Sequence, residues 1–305
     1  MEFGVNIVNF GPGANAGGIL RWAKLAEALG YHSVWLSDHI AMTPRVRERY
    51  PEPFFDPFMT LTWLAGQTSR VKLGTTVCVL PYRHPLLLAR MVANLDQFSG
   101  GRSILGVGLG SSEDEYEALG VPFRRRGAMA NEGIEVLKSV WTAEEPVSYH
   151  GREFQFEDVA PMRTHQLPRP PIVVGGRSDA AMRRAVLHGD GWHSSRSTIR
   201  AMAEVAIPKL HRLAAELDRP VPRFVPRVKL DIRPRPVDDP ERLMGVGSLD
   251  QIHADLTTLA SLGADHIVFD WNPGDPAKTA DNRHGWWEIA ELSERVLDLD
   301  RGALR

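Results

Sequence analysis

The sequence predicts a one-domain α/β protein, a (βα)8 TIM barrel that spans residues 1–305 and carries insertions after several strands. Short β-rich runs alternate with segments of helical periodicity along the whole chain, as in proteins built from βα units. The β-rich runs show little polar alternation, which is typical of parallel strands covered by helices. No low-complexity segment divides the chain, so one barrel is favoured over two domains.

The barrel prediction depends on counting eight strands and eight helices along the chain. The strand candidates are Phe3–Val8, Ser33–Ser37, Val71–Val77, Ser103–Val107, Pro171–Val174, Gly191–Ser194, Arg227–Ile232 and His266–Phe269. The helix candidates are Gly18–Leu29, Pro57–Thr68, Pro85–Phe98, Ala128–Trp141, Asp179–Leu187, Ile199–Leu217, Leu249–Leu262 and Trp286–Leu297. Gly30 and Gly263 follow their helices and precede strands, as C-terminal capping glycines do.

Three stretches are longer than the loops that a minimal βα repeat needs: Ala41–Phe55, Val147–Leu167 and Arg233–Gly247. Each carries proline or charge and follows a βα element, so we interpret all three as insertions rather than linkers. Within the second, residues 147–156 alternate around Gly151 and predict a small β-hairpin.

Net charge indicates the class of partner, and cysteine content indicates the cellular compartment. A formal net charge of −2 gives no global preference for nucleic acid or an anionic membrane, so we expect a small-molecule substrate. No apolar run approaches the roughly 18 residues that a membrane span requires. The single cysteine, Cys78, excludes an internal disulfide and fits a reducing compartment. We therefore expect a soluble cytoplasmic protein, and we predict no metal site.

Candidate site residues follow the ends of the predicted strands, where the loops of such a barrel converge. Asp38 and His39 end the second strand. An imidazole titrates at about pH 6.5, which suits a general acid or base. Asp38 could accept a hydrogen bond from a cofactor ring N–H or orient the imidazole. The alternative is a strand-end Asp that caps the next turn, beside a His in a satisfied polar contact.

Two glycine-rich strand ends could approach a ligand closely. Gly108 and Gly110 end the fourth strand, where they would let backbone N–H groups meet a phosphate or a ring edge. Gly175, Gly176 and Arg177 follow the fifth strand and open a helix with Ser178 or Asp179 as its N-cap. Free N–H groups, the helix dipole and Arg177 together predict a phosphate cradle there. An ordinary capped loop is the alternative.

A competing fingerprint lies after the first strand. Residues 11–16 match GxGxxA, and Asp38 ends the second strand as a ribose-binding acid would in a dinucleotide-binding fold. However, Pro12 and the polar stretch after it do not open a helix, and the chain has eight βα units rather than six.

Several motifs in fixed order resemble the bacterial luciferase-like superfamily. They are Leu73–Val77, Leu80–Pro85, Leu95–Arg102, Gly106–Gly110, Glu117–Pro122, Arg126–Gly127, Gly175–Gly176 and Gly189–Trp192. Residues 35–39, Trp-Leu-Ser-Asp-His, are similar to the branch that uses the deazaflavin coenzyme F420 rather than FMN. The resemblance implies a barrel that binds F420 at its C-terminal mouth.

The resemblance also implies roles for particular residues. Asp38 and His39 would lie near the deazaflavin. Thr76 and Val77 match a bulge, often with a non-proline cis peptide, that backs the ring. The loop from Gly175 to Arg177 matches the one that holds the F420 phosphate. Ser111 stands where F420-dependent sugar-phosphate dehydrogenases carry a catalytic Glu, which puts sugar oxidation in doubt.

We therefore expect two-electron hydride transfer between C5 of F420 and an organic substrate, with His39 as the favoured proton donor or acceptor. The family resemblance also implies a homodimer. Three alternatives stay open: an FMNH2-dependent flavin monooxygenase on the same barrel, a binding protein that has lost its cofactor, and an NAD(P) dehydrogenase.

Overall fold

The computed structural model describes residues 1–305, apart from the side chain of Pro276. All eight predicted strands are present, each within a few residues of its expected bounds. The barrel strands are β1 (Glu2–Asn6), β2 (Ser33–Leu36), β3 (Lys72–Thr75), β4 (Ser103–Gly108), β5 (Ile172–Gly175), β6 (Gly191–His193), β7 (Arg227–Lys229) and β8 (His266–Asp270). A short strand, Cys78–Val79, continues β3 and pairs with β4.

The strands form a closed ring in which every pairing is parallel. Neighbours follow chain order from β1 to β6, and β8 pairs with both β1 and β7. The segment before β7 closes the ring, because the N–H of Val225 donates to Trp192 in β6 while the carbonyl of Pro226 accepts from Val268 in β8. The TIM barrel prediction is confirmed, and the dinucleotide-binding fold is excluded.

Eight helices cover the ring. They are Ala16–Leu29, Pro57–Ala65, Pro85–Ser99, Arg126–Thr142, Asp179–His188, Ile207–Glu216, Leu249–Ser261 and Arg283–Arg295. The sixth begins later than predicted, because Ile199–Ala201 is α-helical but Met202–Ala206 is a π-helical turn. Pro208 has no N–H, so it cannot donate the backbone hydrogen bond that a regular α-helix would make back to that turn. No helix of the described residues is long and apolar enough to cross a membrane.

The insertions have their own local structure. A short helix, Pro44–Arg49, lies in the first. The second forms the predicted hairpin, with Val147–His150 antiparallel to Gln155–Val159. In the third, Val246–Gly247 pairs with Asp231–Ile232.

Trp35 fills the interior of the barrel. It is fully buried and packs with Ile104, Val173, Val225 and Val268, one residue from each of four other strands or their extensions. Glycine is needed around it, since a Cβ at position 74 would lie 2.5 Å from the indole. This packed interior closes the barrel below its C-terminal mouth, so the loops after the strands surround the open space.

Candidate active site

A cleft of about 550 Å³ opens at the C-terminal mouth of the barrel. The residues from strand ends are Ser37, Asp38, His39, Thr76, Val77, Val79, Gly110, Ser111, Ser112 and Arg227. The first insertion adds Arg45, Val46, Glu48, Arg49 and Tyr50. The structure therefore brings five of the predicted site residues into one cleft: Asp38, His39, Thr76, Val77 and Gly110.

Asp38 is held by the loop that follows β3. Its two carboxylate oxygens accept hydrogen bonds from Arg83 at 2.7 and 2.9 Å, and one also accepts from the N–H of Val79 at 2.9 Å. Arg83 additionally reaches Asp56. The Asp38 carboxylate therefore faces Arg83 and not His39. Orienting the His39 imidazole was one of the two roles predicted for Asp38, and a different residue has that role.

That other residue is Glu115, which lies on the short helix Glu113–Ala118 after β4. Its Oε2 is 2.7 Å from Nδ1 of His39 and accepts a hydrogen bond from the hydroxyl of Tyr82. Its Oε1 accepts from the N–H groups of Ile40 and Ala41 at 2.7 and 3.2 Å. Burial opposes ionisation, but the hydrogen bonds from His39 and Ile40 hold the pKa of Glu115 below its ordinary value.

Sequence reasoning missed Glu115. It is the buried member of an acidic run whose other members, Glu113 and Asp114, are more accessible. Its neighbour Tyr116 is also fully buried, so these two are the inward-facing residues of the short helix, which the sequence of the acidic run does not reveal.

The wall of the cleft is built around Val77. The Thr76–Val77 peptide is cis, as the family resemblance implies. A Cβ at Gly108 would lie 2.4 Å from Cγ2 of Val77, and one at Gly175 would lie 3.0 Å from Cγ1. These two glycines thus lie behind Val77. In the structure, their lack of a side chain leaves the space that the valine side chain fills.

Below Val77, a buried polar network supports the wall. The hydroxyl of Thr76 is 2.9 Å from Nε2 of His193, whose Nδ1 is 2.8 Å from the carbonyl of Val225. Burial lowers the pKa of His193 to about 3, so the ring is neutral at physiological pH. Nδ1 must then donate to the carbonyl, and Nε2 accepts from the Thr76 hydroxyl.

Arg227 carries positive charge into the floor of the cleft. It donates to the carbonyl of Thr76 at 3.1 Å and to the carboxylate of Asp270 at 3.1 Å. Burial of Asp270 favours the neutral acid, but Arg227 and Arg196 hold its pKa at about 2. The sequence did not single out this ion pair, because its members come from different strands.

The predicted phosphate cradle flanks a second cleft, of about 310 Å³, at the same end of the barrel. Ser178 is the N-cap of the helix Asp179–His188, as predicted, and accepts from the N–H of Ala181. Gly176 has φ of +123°, a conformation that favours glycine. Arg177 lines the second cleft with Lys209 and Ser194, whose buried hydroxyl has no hydrogen-bond partner among the described residues.

Comparison with known proteins places the chain in a family. The sequence model of the luciferase-like monooxygenase family matches residues 1–236. A protein of uncharacterized function from Mycobacterium tuberculosis is 36% identical over 186 residues, which cover 56% of this chain and 62% of that protein. An F420-dependent glucose-6-phosphate dehydrogenase of Kineococcus radiotolerans is 34% identical over 187 residues, covering 60% and 52%. These matches span less than two thirds of the relatives' own length.

A flavin-dependent relative and two solved structures complete the comparison. The oxygenase component of the trigonelline monooxygenase of Acinetobacter baylyi is 30% identical over 175 residues, which cover 56% of this chain and 46% of that one. The F420-dependent tetrahydromethanopterin reductase of Methanopyrus kandleri superposes with a TM-score of 0.74 at 20% identity, covering 92% of this chain and 96% of that one. The oxygenating constituent of 3,6-diketocamphane monooxygenase from Pseudomonas putida, in complex with FMN, superposes with a TM-score of 0.75 at 18% identity, covering 100% and 99%.

The structural likenesses agree with the barrel seen here, and the sequence match extends over more than three quarters of the chain. The chain belongs to the luciferase-like monooxygenase family.

Proposed function

We propose that this protein is an F420-dependent oxidoreductase that transfers a hydride between the deazaflavin coenzyme and an organic small molecule. The observation that carries the proposal is the placement of His39, backed by the buried Glu115, in the same cleft as the wall at Thr76–Val77. An imidazole in the same cleft as the apolar side chain of Val77 gives a proton-transfer group near a surface on which a ring could lie. The similarity to an F420-dependent dehydrogenase supports the choice of cofactor.

The residues present fit such a cofactor. Gly110 lines the cleft with φ of +62°, a conformation that favours glycine, and a Cβ there would crowd Val79 and the Tyr82 hydroxyl at 3.1 to 3.3 Å. The Ser194 hydroxyl, which has no hydrogen-bond partner within the described part of the chain, lines the second cleft with the cations Arg177 and Lys209, where they could meet a phosphate. Lys209 also pairs with Asp179 at 2.7 Å.

In this proposal Thr76, Val77 and Gly110 would hold the ring system, with Gly108 and Gly175 supporting Val77 from behind. Asp38 would contribute through its backbone, because Arg83 and Val79 already bind its carboxylate. Gly176 and Arg177 would hold the phosphate at the start of the helix Asp179–His188. When bound, F420 supplies at C5 the carbon that accepts or donates the hydride.

The protein's own groups supply position and protonation. His39 takes or gives the proton at the ring nitrogen that faces the cleft. Tyr50 and the short helix Pro44–Arg49 cover the cleft, so the first insertion would contact the substrate. Arg45 and Arg49 lie on the cleft side of that helix, one turn apart.

The second candidate is an FMNH2-dependent flavin monooxygenase on the same barrel. The similarity to the oxygenase component of a flavin-dependent monooxygenase favours it. The two candidates differ in the cofactor that the cleft accepts, so binding separates them.

A homodimer is part of the proposal. Met59 and Trp63 are 73% and 38% exposed, one turn apart on the helix Pro57–Ala65, and Leu87 on the neighbouring helix Pro85–Ser99 is 55% exposed. Exposed apolar side chains on two neighbouring helices suit contact with a second copy of the chain. Light scattering of the purified protein would give a dimer mass if this is right, and Met59→Glu would lower it.

The function is tested by purifying the protein from a host that makes both F420 and FMN. We expect the absorption and fluorescence of a deazaflavin in the purified protein. His39→Ala should keep that spectrum while turnover falls by about 10²- to 10⁴-fold, the usual contribution of a general acid or base. A flavin spectrum instead would favour the second candidate.

A further inference from the structure

We infer that Glu115 is a positioning residue that fixes the tautomer of His39, with hydrogen on Nδ1 and the Nε2 lone pair turned to the cleft. The proton-transfer role of His39 rests on the proposed function, but the tautomer assignment does not. It follows from the hydrogen bonds around one buried carboxylate.

Every donor that reaches Glu115 has a fixed role. The N–H groups of Ile40 and Ala41 can only donate, and both point at Oε1. The other oxygen, Oε2, faces Nδ1 of His39 and the Tyr82 hydroxyl at 2.7 and 2.9 Å. An ionised carboxylate has no hydrogen to give. Nδ1 of His39 must therefore carry the hydrogen.

The ring position then decides which nitrogen meets a ligand. The imidazole lines the cleft and packs against Tyr50 and Phe54, with ring centroids 4.7 and 5.6 Å away. Since the Nδ1 edge is turned to the fully buried Glu115, the Nε2 edge is the one that can reach the cleft. In the neutral ring, Nε2 is ready to accept a proton from a bound O–H or N–H group.

Glu115 is thus placed to do for His39 what a buried acid does in other histidine-based sites: it selects the tautomer and stabilises the charged ring after proton uptake. It lies 76 residues from His39 in the sequence. It acts through the imidazole, without a place of its own in the cleft lining.

The substitution Glu115→Gln makes a sharp prediction. Two backbone donors flank the Oε1 position, so the amide oxygen of the glutamine must lie there and its NH2 group must face His39. That NH2 group can only donate, so Nδ1 becomes the acceptor and the ring hydrogen moves to Nε2. The variant should keep the fold of the cleft while inverting the tautomer.

The test is a two-bond ¹H–¹⁵N correlation spectrum of the ligand-free protein labelled at its 11 histidines. The His39 signals are identified by their loss in His39→Ala. We expect the Nδ1–H tautomer in the wild type and the Nε2–H tautomer in Glu115→Gln. In turnover with F420, Glu115→Gln should lose about 10²-fold or more, with cofactor affinity kept.

Two variants serve as controls. Glu117→Gln makes the same change at an exposed position of the same helix and should alter neither tautomer nor turnover. Tyr82→Phe removes the other donor to Oε2 and should leave hydrogen on Nδ1. Circular dichroism and thermal melting report whether each variant folds.

A wild-type ring with its hydrogen on Nε2 would overturn the inference, as would a folded Glu115→Gln that keeps hydrogen on Nδ1. The wild-type spectrum alone decides the first point, even if Glu115→Gln fails to fold. Because the spectra are recorded without cofactor, failure of the protein to bind F420 would count against the proposed function and leave the tautomer assignment standing.

Discussion

Arg83 donates one hydrogen bond to each carboxylate oxygen of Asp38, at 2.7 and 2.9 Å. Both side chains are almost fully buried, so the pair is a bidentate ion pair shielded from solvent. Burial disfavours the guanidinium charge, but the hydrogen bonds that Arg83 donates to Asp38 raise the pKa of Arg83 above its ordinary value. The pair joins the segment after β2 to the segment after β3, which carry His39 and Val77.

Removing the charge of Asp38 should therefore destabilise the fold. Asp38→Asn leaves Arg83 in the interior with a single, half-exposed anionic partner, Asp56. Loss of one member of a buried pair costs about 3–5 kcal/mol. Chemical denaturation monitored by fluorescence measures the change in the free energy of unfolding.

Asp56→Asn is the matched control. It removes a more exposed charge from the same arginine, and asparagine can still cap the helix Pro57–Ala65. We expect a loss of about 1 kcal/mol or less. Equal losses for the two variants would mean that Asp38 does not anchor Arg83 as described.

A double-mutant cycle tests whether the absence of a side chain at Gly108 leaves the space that the Val77 side chain occupies. In Gly108→Ala the new Cβ would lie 2.4 Å from Cγ2 of Val77, so the valine must shift and the protein should lose about 1–3 kcal/mol of stability. Adding Val77→Ala removes the clashing methyl and should recover much of that loss. Thermal melting and F420 titration of the four proteins give the coupling in stability and in affinity.

Gly66→Ala is the control, because a Cβ there would meet its neighbour at an ordinary 3.7 Å. It should change neither stability nor affinity by much. Additive effects of Gly108→Ala and Val77→Ala would show that the two positions do not share space in the way the structure describes.

Much of the fold could be predicted from the sequence because its signals are local. Eight β-rich runs, each followed by a helical segment, give the barrel order without knowledge of any contact. Gly30 has φ of +95° and Gly263 has φ of +83°, the left-handed conformations expected where helices end. The sequence also placed Asp38, His39, Thr76 and Val77 at neighbouring strand ends, so parallel pairing brings them together.

The partners of those residues could not be predicted, because they depend on how distant loops fold over the mouth. Glu115 reaches His39 from a helix after β4, and Arg83 reaches Asp38 from across 45 residues. Nothing in the local pattern separates Glu115 from the acids beside it. Arg83 lies within the Leu80–Pro85 motif, and the sequence of that motif does not show which group the guanidinium meets.

Glu288 gives a prediction for the pH dependence of stability. It is buried beside a cavity of about 390 Å³, where Oε1 accepts from the N–H of Ile232 and Oε2 has no hydrogen-bond partner among the described residues. Burial raises the pKa of Glu288 from 4.5 to about 7. The folded protein therefore holds a proton that the unfolded chain releases, and this contribution to stability is lost as the pH rises through about 7.

Glu288→Gln keeps the shape of the side chain and cannot ionise. We expect the variant and the wild type to be similar at about pH 5, and the variant to be more stable at about pH 8, by up to about 3 kcal/mol. Glu294→Gln, exposed on the same helix, should show no such pH-dependent difference. Denaturation curves at both pH values measure this difference. A Glu288→Gln variant that is less stable than the wild type at pH 8 would contradict the raised pKa of Glu288.

The measurement that bears most directly on the proposed function is a parallel titration of the cofactor-free protein with F420 and with FMN, followed by fluorescence. We predict saturable binding of F420 that is at least about 100-fold tighter than that of FMN, a difference of about 2.7 kcal/mol. Tight binding of FMN without affinity for F420 would contradict the account and assign the cleft to flavin chemistry.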